Sequence, residues 1–77
     1  MYKIFGKDNC SYCNKAKQLL EQFEYPYEYI DVVEDESALS MLKEMGFRTV
    51  PQIYREDRHI GGYTELFNLI TTENEGV

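Results

Sequence analysis

The two cysteines of this chain stand two residues apart, in the segment CSYC at residues 10–13, and this pair constrains the fold more than any other feature. A short apolar run at residues 2–5 precedes it, and a helical pattern starts directly after Cys10. A strand that leads into a Cys-X-X-Cys turn at the start of a helix is typical of redox-active proteins. Because residues three apart share one face of a helix, we expect the two sulfur atoms to lie within bonding distance.

The two cysteines are expected to differ in reactivity. Cys10 is predicted at or near the N-cap of the helix, where backbone N–H groups are unpaired and the helix dipole is positive. Both effects favour the thiolate, which is the reactive form of the side chain. Cys13 lies one turn further into the helix and is expected to be more shielded. The pattern therefore predicts that Cys10 attacks a disulfide and that Cys13 resolves the product.

Two other uses of this cysteine spacing stay open at this point. A structural zinc site takes four Cys or His ligands, whereas the chain holds two cysteines and one histidine. A structural disulfide across two intervening residues closes a very small loop and removes little entropy from the unfolded chain. Redox chemistry is favoured over both alternatives.

The periodicity of apolar residues predicts an α/β fold with the element order β-α-β-α-β-β-α. A helix between the first two strands makes them parallel, with a right-handed crossover, and a short polar loop at residues 55–58 makes the last two strands antiparallel. A four-stranded mixed sheet with helices on both faces then forms a single domain over residues 1–77. The strands are predicted at residues 2–5, 27–32, 51–54 and 59–60. The first helix is predicted at residues 11–24, the second from a cap at Ser37 to Gly46, and the third from a cap at Thr64. The tail at residues 71–77 is predicted to fray.

Each predicted helix has an apolar face at helical spacing, which we expect to pack on the sheet. The residues of these faces are Ala16, Leu19, Leu20 and Phe23, then Ala38, Leu39, Leu42 and Met45, then Leu66, Phe67, Leu69 and Ile70.

Charge and hydropathy exclude several classes of partner. The net charge is −6 and no basic stripe is present, so nucleic acid is not expected as a partner. No segment approaches the ~20 apolar residues of a membrane span. The first residues do not have the pattern of a signal peptide, so we expect a protein without a secretory leader. A reactive cysteine pair without a secretory leader suits a reducing cytoplasm. The first twenty residues carry four lysines against Asp8 alone, and this basic zone should stabilise a thiolate and attract an anionic thiol.

Three motifs in order resemble those of the glutaredoxins, within the thioredoxin-like superfamily: IFGK leading into CSYC, TVPQI at residues 49–53 and HIGGYTEL at residues 59–66. The resemblance covers nearly the whole chain. It implies a monomeric, glutathione-dependent thiol–disulfide oxidoreductase that needs no metal or bound cofactor beyond glutathione as cosubstrate. Its partners would be disulfide-containing or glutathionylated proteins, with ribonucleotide reductase as one plausible target in this family.

The resemblance also implies a set of site residues. Cys10 and Cys13 would be catalytic, and His59 would be a strand residue without catalytic work. The Val50–Pro51 peptide bond would be cis, so that the Val50 backbone pairs with a glutathione peptide as an added strand. Thr64 would cap the last helix, whose free N–H groups would bind the γ-glutamyl carboxylate. The residues implied in glutathione binding are Lys7, Tyr12, Thr49, Val50, Pro51, Gly62, Tyr63 and Thr64.

One departure from the family pattern keeps further functions open. Ser11 stands where the commonest family motif has proline, which frees a backbone N–H beside Cys10. Some glutaredoxins without that proline bridge two chains with a glutathione-ligated iron–sulfur cluster, so a cluster-binding dimer is one alternative. Another is a redoxin that thioredoxin reductase reduces. Residues 46–48 resemble the corresponding segment of such redoxins, although those proteins lack the GGYT pattern and the tyrosine between the cysteines.

Overall fold

The computed structural model describes residues 1–75 and contains the predicted seven elements in the predicted order. The strands are β1 (Tyr2–Gly6), β2 (Tyr27–Asp31), β3 (Gln52–Arg55) and β4 (Arg58–Gly61). The helices are α1 (Ser11–Gln22), α2 (Glu36–Glu44) and α3 (Tyr63–Glu73). No helix within residues 1–75 is long and apolar enough to cross a membrane.

The four strands form one mixed sheet in the order β2-β1-β3-β4. Strands β1 and β2 are parallel, with Tyr2 opposite Tyr27 and Gly6 opposite Asp31. Strand β3 runs antiparallel to both β1 and β4. The α/β fold and the mixed sheet are therefore confirmed, and the segment that follows the central strand β1 carries the cysteine pair.

Helices cover both faces of the sheet because successive side chains of a strand point to opposite faces. On one face, Ile4 of β1 and Ile53 of β3 pack in a cluster with apolar residues of α1 and α3. On the other face, Phe5 of β1 packs in a second cluster with residues of α2. Besides Cys13, the buried helical residues are Ala16, Leu19 and Leu20 of α1, Leu66 and Ile70 of α3, and Ala38 and Leu42 of α2.

Helix α2 begins with a different cap from the one predicted. Asp35 is the N-cap, and its Oδ1 accepts hydrogen bonds from the Ala38 N–H at 3.0 Å and from the Ser37 hydroxyl at 2.7 Å. The Ser37 cap was wrong because a carboxylate two residues earlier carries the negative charge that a helix N-terminus favours. Gly46, with φ of 86°, follows the C-cap Met45 and ends the helix as expected.

The hairpin between β3 and β4 is tighter than the predicted loop at residues 55–58. Arg55 and Arg58 belong to the strands, which leaves Glu56 and Asp57 as the turn. Glu56 adopts a positive φ of 55°, as two-residue hairpin turns require. Strand β3 starts at Gln52, one residue after the predicted Pro51.

Some predicted core positions and one boundary also differ. Met45, which is the C-cap residue after α2, is 49% exposed, and Phe67 of α3 is 43% exposed. Helix α3 continues past residue 71 to Glu73, which pairs with Arg55 at 2.9 Å. The Asn74 side-chain amide donates to the Ile70 carbonyl at 2.8 Å, which further satisfies the end of this helix. The last part of the predicted tail, residues 76–77, lies outside the described residues.

Candidate active site

Cys10 and Cys13 form a disulfide at the start of α1, with their Cα atoms 5.2 Å apart. Cys10 is the N-cap residue, with extended backbone, and its Sγ accepts the Cys13 N–H at 3.2 Å. The Cys13 side chain is fully buried, whereas Cys10 is only half-buried. The predicted disulfide-capable pair and its unequal exposure are thus present, and the helix N-terminus faces the more accessible sulfur.

Gly6 and Tyr29 shape the turn that delivers the cysteines. A Cβ on Gly6 would lie 2.9 Å from Cys13 Sγ and 2.5 Å from the Tyr29 hydroxyl oxygen, so only glycine fits there. The Tyr29 hydroxyl donates to the Lys7 carbonyl at 3.1 Å and ties β2 to this turn. Burial raises the pKa of Tyr29 above its usual value, which keeps the hydroxyl protonated as a donor. Sequence reasoning missed this tyrosine, because its partner is 22 residues away.

The loop before β3 forms the opposite wall. The Val50–Pro51 peptide bond is cis, as expected, and Pro51 is buried. The Val50 carbonyl oxygen lies 3.9 Å from Cys10 Sγ. The disulfide sulfur carries no proton, so this approach is a van der Waals contact that places the Val50 backbone beside the more exposed sulfur of the pair.

Between these walls lies an open groove of about 630 Å³. Four of the residues implied in glutathione binding line it with Cys10, namely Lys7, Tyr12, Thr49 and Val50. The sequence did not single out the remaining lining residues for this role: Asn9, Ser11, Val32, Val33, Leu39 and Arg48. Arg48 adds a second exposed cation to Lys7, and its position directly before the TVP motif was the available signal.

The residues predicted at the start of α3 lie beside this groove rather than in its lining. A Cβ on Gly62 would lie 3.6 Å from the Pro51 carbonyl oxygen, and the Tyr63 ring is 5.9 Å from the Tyr12 ring. The cap predicted at Thr64 was wrong, because Gly62 is the N-cap and Thr64 is an exposed residue in the first turn. The Glu65 carboxylate accepts the Gly62 N–H at 2.7 Å, an acidic first-turn contact that fixes the start of the helix here.

The lysines of the basic zone are held by aromatic rings. Lys15 Nζ lies 5.0 Å from the Tyr12 ring centroid, and Lys17 Nζ lies 4.3 Å from that of Tyr29. Both distances suit a cation–π contact, so these charges stay near the cysteine turn. Within residues 1–75, no group of three or more His, Cys, Asp or Glu side chains that could hold a metal ion is found.

Comparison with known proteins gives consistent results. The family model for glutaredoxin matches residues 3–60. The chain is similar to glutaredoxin 1 of Rickettsia prowazekii, with 41% identity over 76 residues that cover 95% of this chain and 77% of that protein. It is also similar to glutaredoxin 1 of Escherichia coli, with 36% identity over 71 residues that cover 82% and 84%.

Solved structures show the same fold. Glutaredoxin 1 from Francisella tularensis superposes with a TM-score of 0.72, at 31% identity over 96% of both chains. The buckwheat glutaredoxin–glutathione complex superposes with a TM-score of 0.77, at 26% identity over 95% of this chain and 68% of that one. NrdH-redoxin from Escherichia coli reaches a TM-score of 0.80 at 24% identity, over 90% and 92%, and shares the thioredoxin-like fold.

Proposed function

This chain belongs to the glutaredoxin family of thiol–disulfide oxidoreductases, and from that premise we propose that it reduces protein disulfides and glutathione mixed disulfides with glutathione as cosubstrate. The observation that supports this most is the position of Cys10. It is the more exposed cysteine of the pair, it caps α1, and it faces a groove that also holds Lys7 and the Val50 backbone. This position supports Cys10 as the reactive sulfur, with groups nearby that suit an anionic peptide.

The first step is attack by the Cys10 thiolate on one sulfur of the substrate disulfide. A new bond forms between Cys10 Sγ and that sulfur, and the other sulfur leaves as a thiolate that takes up a proton. The Cys13 N–H, which already points at Cys10 Sγ at 3.2 Å, stabilises the attacking thiolate. The positive end of α1 acts in the same direction.

The mixed disulfide is then resolved by one of two thiols. With a protein substrate, the Cys13 thiolate attacks Cys10 Sγ, which forms the Cys10–Cys13 disulfide and releases the reduced protein. Two glutathione molecules then reduce that disulfide and are themselves oxidised to glutathione disulfide. With a glutathionylated substrate, Cys10 carries the glutathione and a second glutathione removes it, so this route needs no second protein thiol.

Glutathione would lie along the groove with each of its two carboxylates near a positive group. Its peptide backbone would pair with the Val50 backbone as an added strand. Lys7, now joined by Arg48, suits the glycyl carboxylate. The N-terminal N–H groups of α3, with Tyr63 and Thr64, suit the γ-glutamyl carboxylate. The related buckwheat glutaredoxin forms a complex with glutathione, which supports this ligand class for the present chain.

Turnover on a small glutathione mixed disulfide tests the proposal. The same protein is assayed with glutathione and glutathione reductase, and separately with thioredoxin reductase. We expect turnover only with the glutathione system, and turnover only with thioredoxin reductase would overturn the proposal. The setting we propose is the cytoplasm, where glutathione keeps thiols reduced, and ribonucleotide reductase remains the protein target that the family suggests.

A further inference from the structure

Gln52 is the one buried side chain of polar or charged type within residues 1–75, with 7% of its surface exposed. It is the first residue of β3 and stands opposite Phe5 of the central strand β1. A buried amide that lacked hydrogen-bond partners would destabilise the fold. The partners of Gln52 therefore show which neighbouring groups this side chain holds in place. The proposed thiol–disulfide exchange at Cys10 and Cys13 does not involve this side chain.

The Gln52 amide is fully engaged by two neighbours. Its Nε2 donates to the Thr49 carbonyl oxygen at 2.8 Å and approaches the Thr49 hydroxyl oxygen at 3.3 Å. Its Oε1 lies 2.8 Å from His59 Nε2. A carbonyl oxygen only accepts, so the amide nitrogen faces Thr49, and His59 must donate through a protonated Nε2. The neutral Nε2–H tautomer and the imidazolium both make this hydrogen bond.

His59 is itself held from two sides. Its ring stacks on Phe47 at 4.5 Å, with 22° between the planes, and lies 5.1 Å from the Tyr54 ring. The hydrogen bonds between Gln52 and Thr49 are thereby linked to β4 through His59. The stacking of His59 on Phe47 also links them to the start of the loop that precedes β3. The position of the Thr49 carbonyl follows from the sheet rather than from the loop alone.

Fixing that carbonyl also fixes the Val50 N–H. The Thr49–Val50 peptide bond is trans, and the carbonyl and N–H of a planar trans peptide point in opposite directions. The carbonyl faces the buried Gln52, so the N–H faces away from it. Among the described residues, the Val50 N–H takes part in no hydrogen bond. Val50 lines the groove with Cys10, which leaves this donor for a ligand.

We propose that Gln52, held by His59, is a positioning residue that presents the Val50 N–H to the backbone of glutathione bound beside Cys10. The inference rests on the proposed use of glutathione. It assigns a role in glutathione binding to a residue that would not itself contact glutathione. Its effect is on glutathione binding alone, because the hydrogen bonds of the Gln52 side chain go to Thr49 and His59 and not to either cysteine.

Gln52→Glu is the sharpest variant. The side chain keeps its size and its acceptor for His59, but the carboxylate has no proton to give to Thr49 and repels that carbonyl oxygen. The KM for a glutathionylated peptide should rise roughly three- to tenfold, as the loss of one well-placed hydrogen bond does. The kcat and the rate of Cys10 alkylation by iodoacetamide should stay unchanged. His59→Ala, which removes the second anchor, should raise the KM in the same direction by a smaller factor.

Asn74→Asp is the matched control. It makes the same change from amide to carboxylate beside a backbone carbonyl, that of Ile70, at the end of α3. It should leave the KM for the glutathionylated peptide unchanged. A KM rise equal to that of Gln52→Glu would mean that loss of stability, and not positioning, causes the effect.

The Val50 amide signal in NMR spectra gives a direct second readout. On addition of S-methylglutathione, which cannot react, this signal should shift in the wild type and shift less in Gln52→Glu and His59→Ala. The positioning role alone would be overturned if the wild type is active and both variants have the same KM and the same ligand-induced shift of the Val50 signal as the wild type. A wild type that neither binds S-methylglutathione nor uses glutathione would overturn the proposed function and this inference together.

Discussion

At the scale of single residues, one helical turn separates two sulfurs with different surroundings. Cys10 caps α1, is half-buried and receives the Cys13 N–H, whereas Cys13 has no exposed surface. A thiolate is favoured where N–H groups and the helix dipole meet it, and disfavoured where burial removes water. The division of labour between an attacking and a resolving thiol is therefore expected from position alone.

The pKa of Cys10 is the first measurable consequence. In the reduced protein, the rate of iodoacetamide alkylation against pH should show a midpoint within the range of about 3.5–7.5 that helix-start thiols show. A Cys13→Ser variant isolates the Cys10 thiol for this titration. A midpoint near the ordinary value of about 8.5 would contradict the effect of the helix N-terminus.

Lys7 should contribute to glutathione use through its charge. Lys7→Ala should raise the KM for glutathione roughly two- to fivefold, the effect of losing one exposed ion pair. Salt screens such a pair, so the difference from the wild type should shrink as ionic strength rises. Lys3→Ala, at an exposed lysine outside the groove, is the control and should change nothing. An equal rise in the KM for glutathione in both variants would show that the overall charge of the protein, and not the groove, is responsible.

At the scale of elements, sequence periodicity predicted the helices and strands well, because burial of apolar stripes decides where they form. It was less successful where neighbouring residues compete for one role. Asp35 and Ser37 are both good caps, and the structure uses Asp35 with Ser37 as its donor. The tie from Tyr29 to Lys7 and that from Gln52 to His59 depend on folded geometry, which spacing along the chain does not encode.

The Asp35 cap gives a pH-dependent contribution to stability. The hydrogen bond from Ser37, followed by that from the Ala38 N–H, lowers the pKa of Asp35 below its usual value. A lowered pKa in the folded state means that the contribution is present above the unfolded-state pKa of about 3.9 and is lost as pH falls through the folded value. Asp35→Ala should therefore lower the melting temperature at neutral pH, and its difference from the wild type should narrow below about pH 4.

Asn is an equally good cap without a titrating group, so Asp35→Asn separates capping from charge. It should keep the melting temperature near that of the wild type at neutral pH and lose the acid dependence that comes from this residue. A variant with the full acid dependence of the wild type would show that other carboxylates cause it.

At the scale of the whole molecule, the sheet brings together motifs that lie far apart in the chain. The end of the central strand β1 delivers the cysteine turn, the adjacent strand β3 delivers the cis-proline loop, and α3 begins beside both. The groove is lined by Lys7 and Arg48 in a chain of net charge −6, so positive charge is concentrated in the groove that we propose for glutathione. Three short motifs predicted that these segments meet, whereas Arg48 was not predicted in the groove, although it directly precedes the TVP motif.

The activity of Cys13→Ser on a glutathione mixed disulfide tests the central claim most directly. That route needs one protein thiol and free glutathione, so the variant should keep turnover, while it loses most of its reduction of protein disulfides, where Cys13 releases the product. Cys10→Ser should lose both activities, because a serine hydroxyl is not appreciably ionised at neutral pH. A correctly folded Cys13→Ser protein that is inactive on the glutathione mixed disulfide would contradict the account and favour a thioredoxin-like route through both thiols.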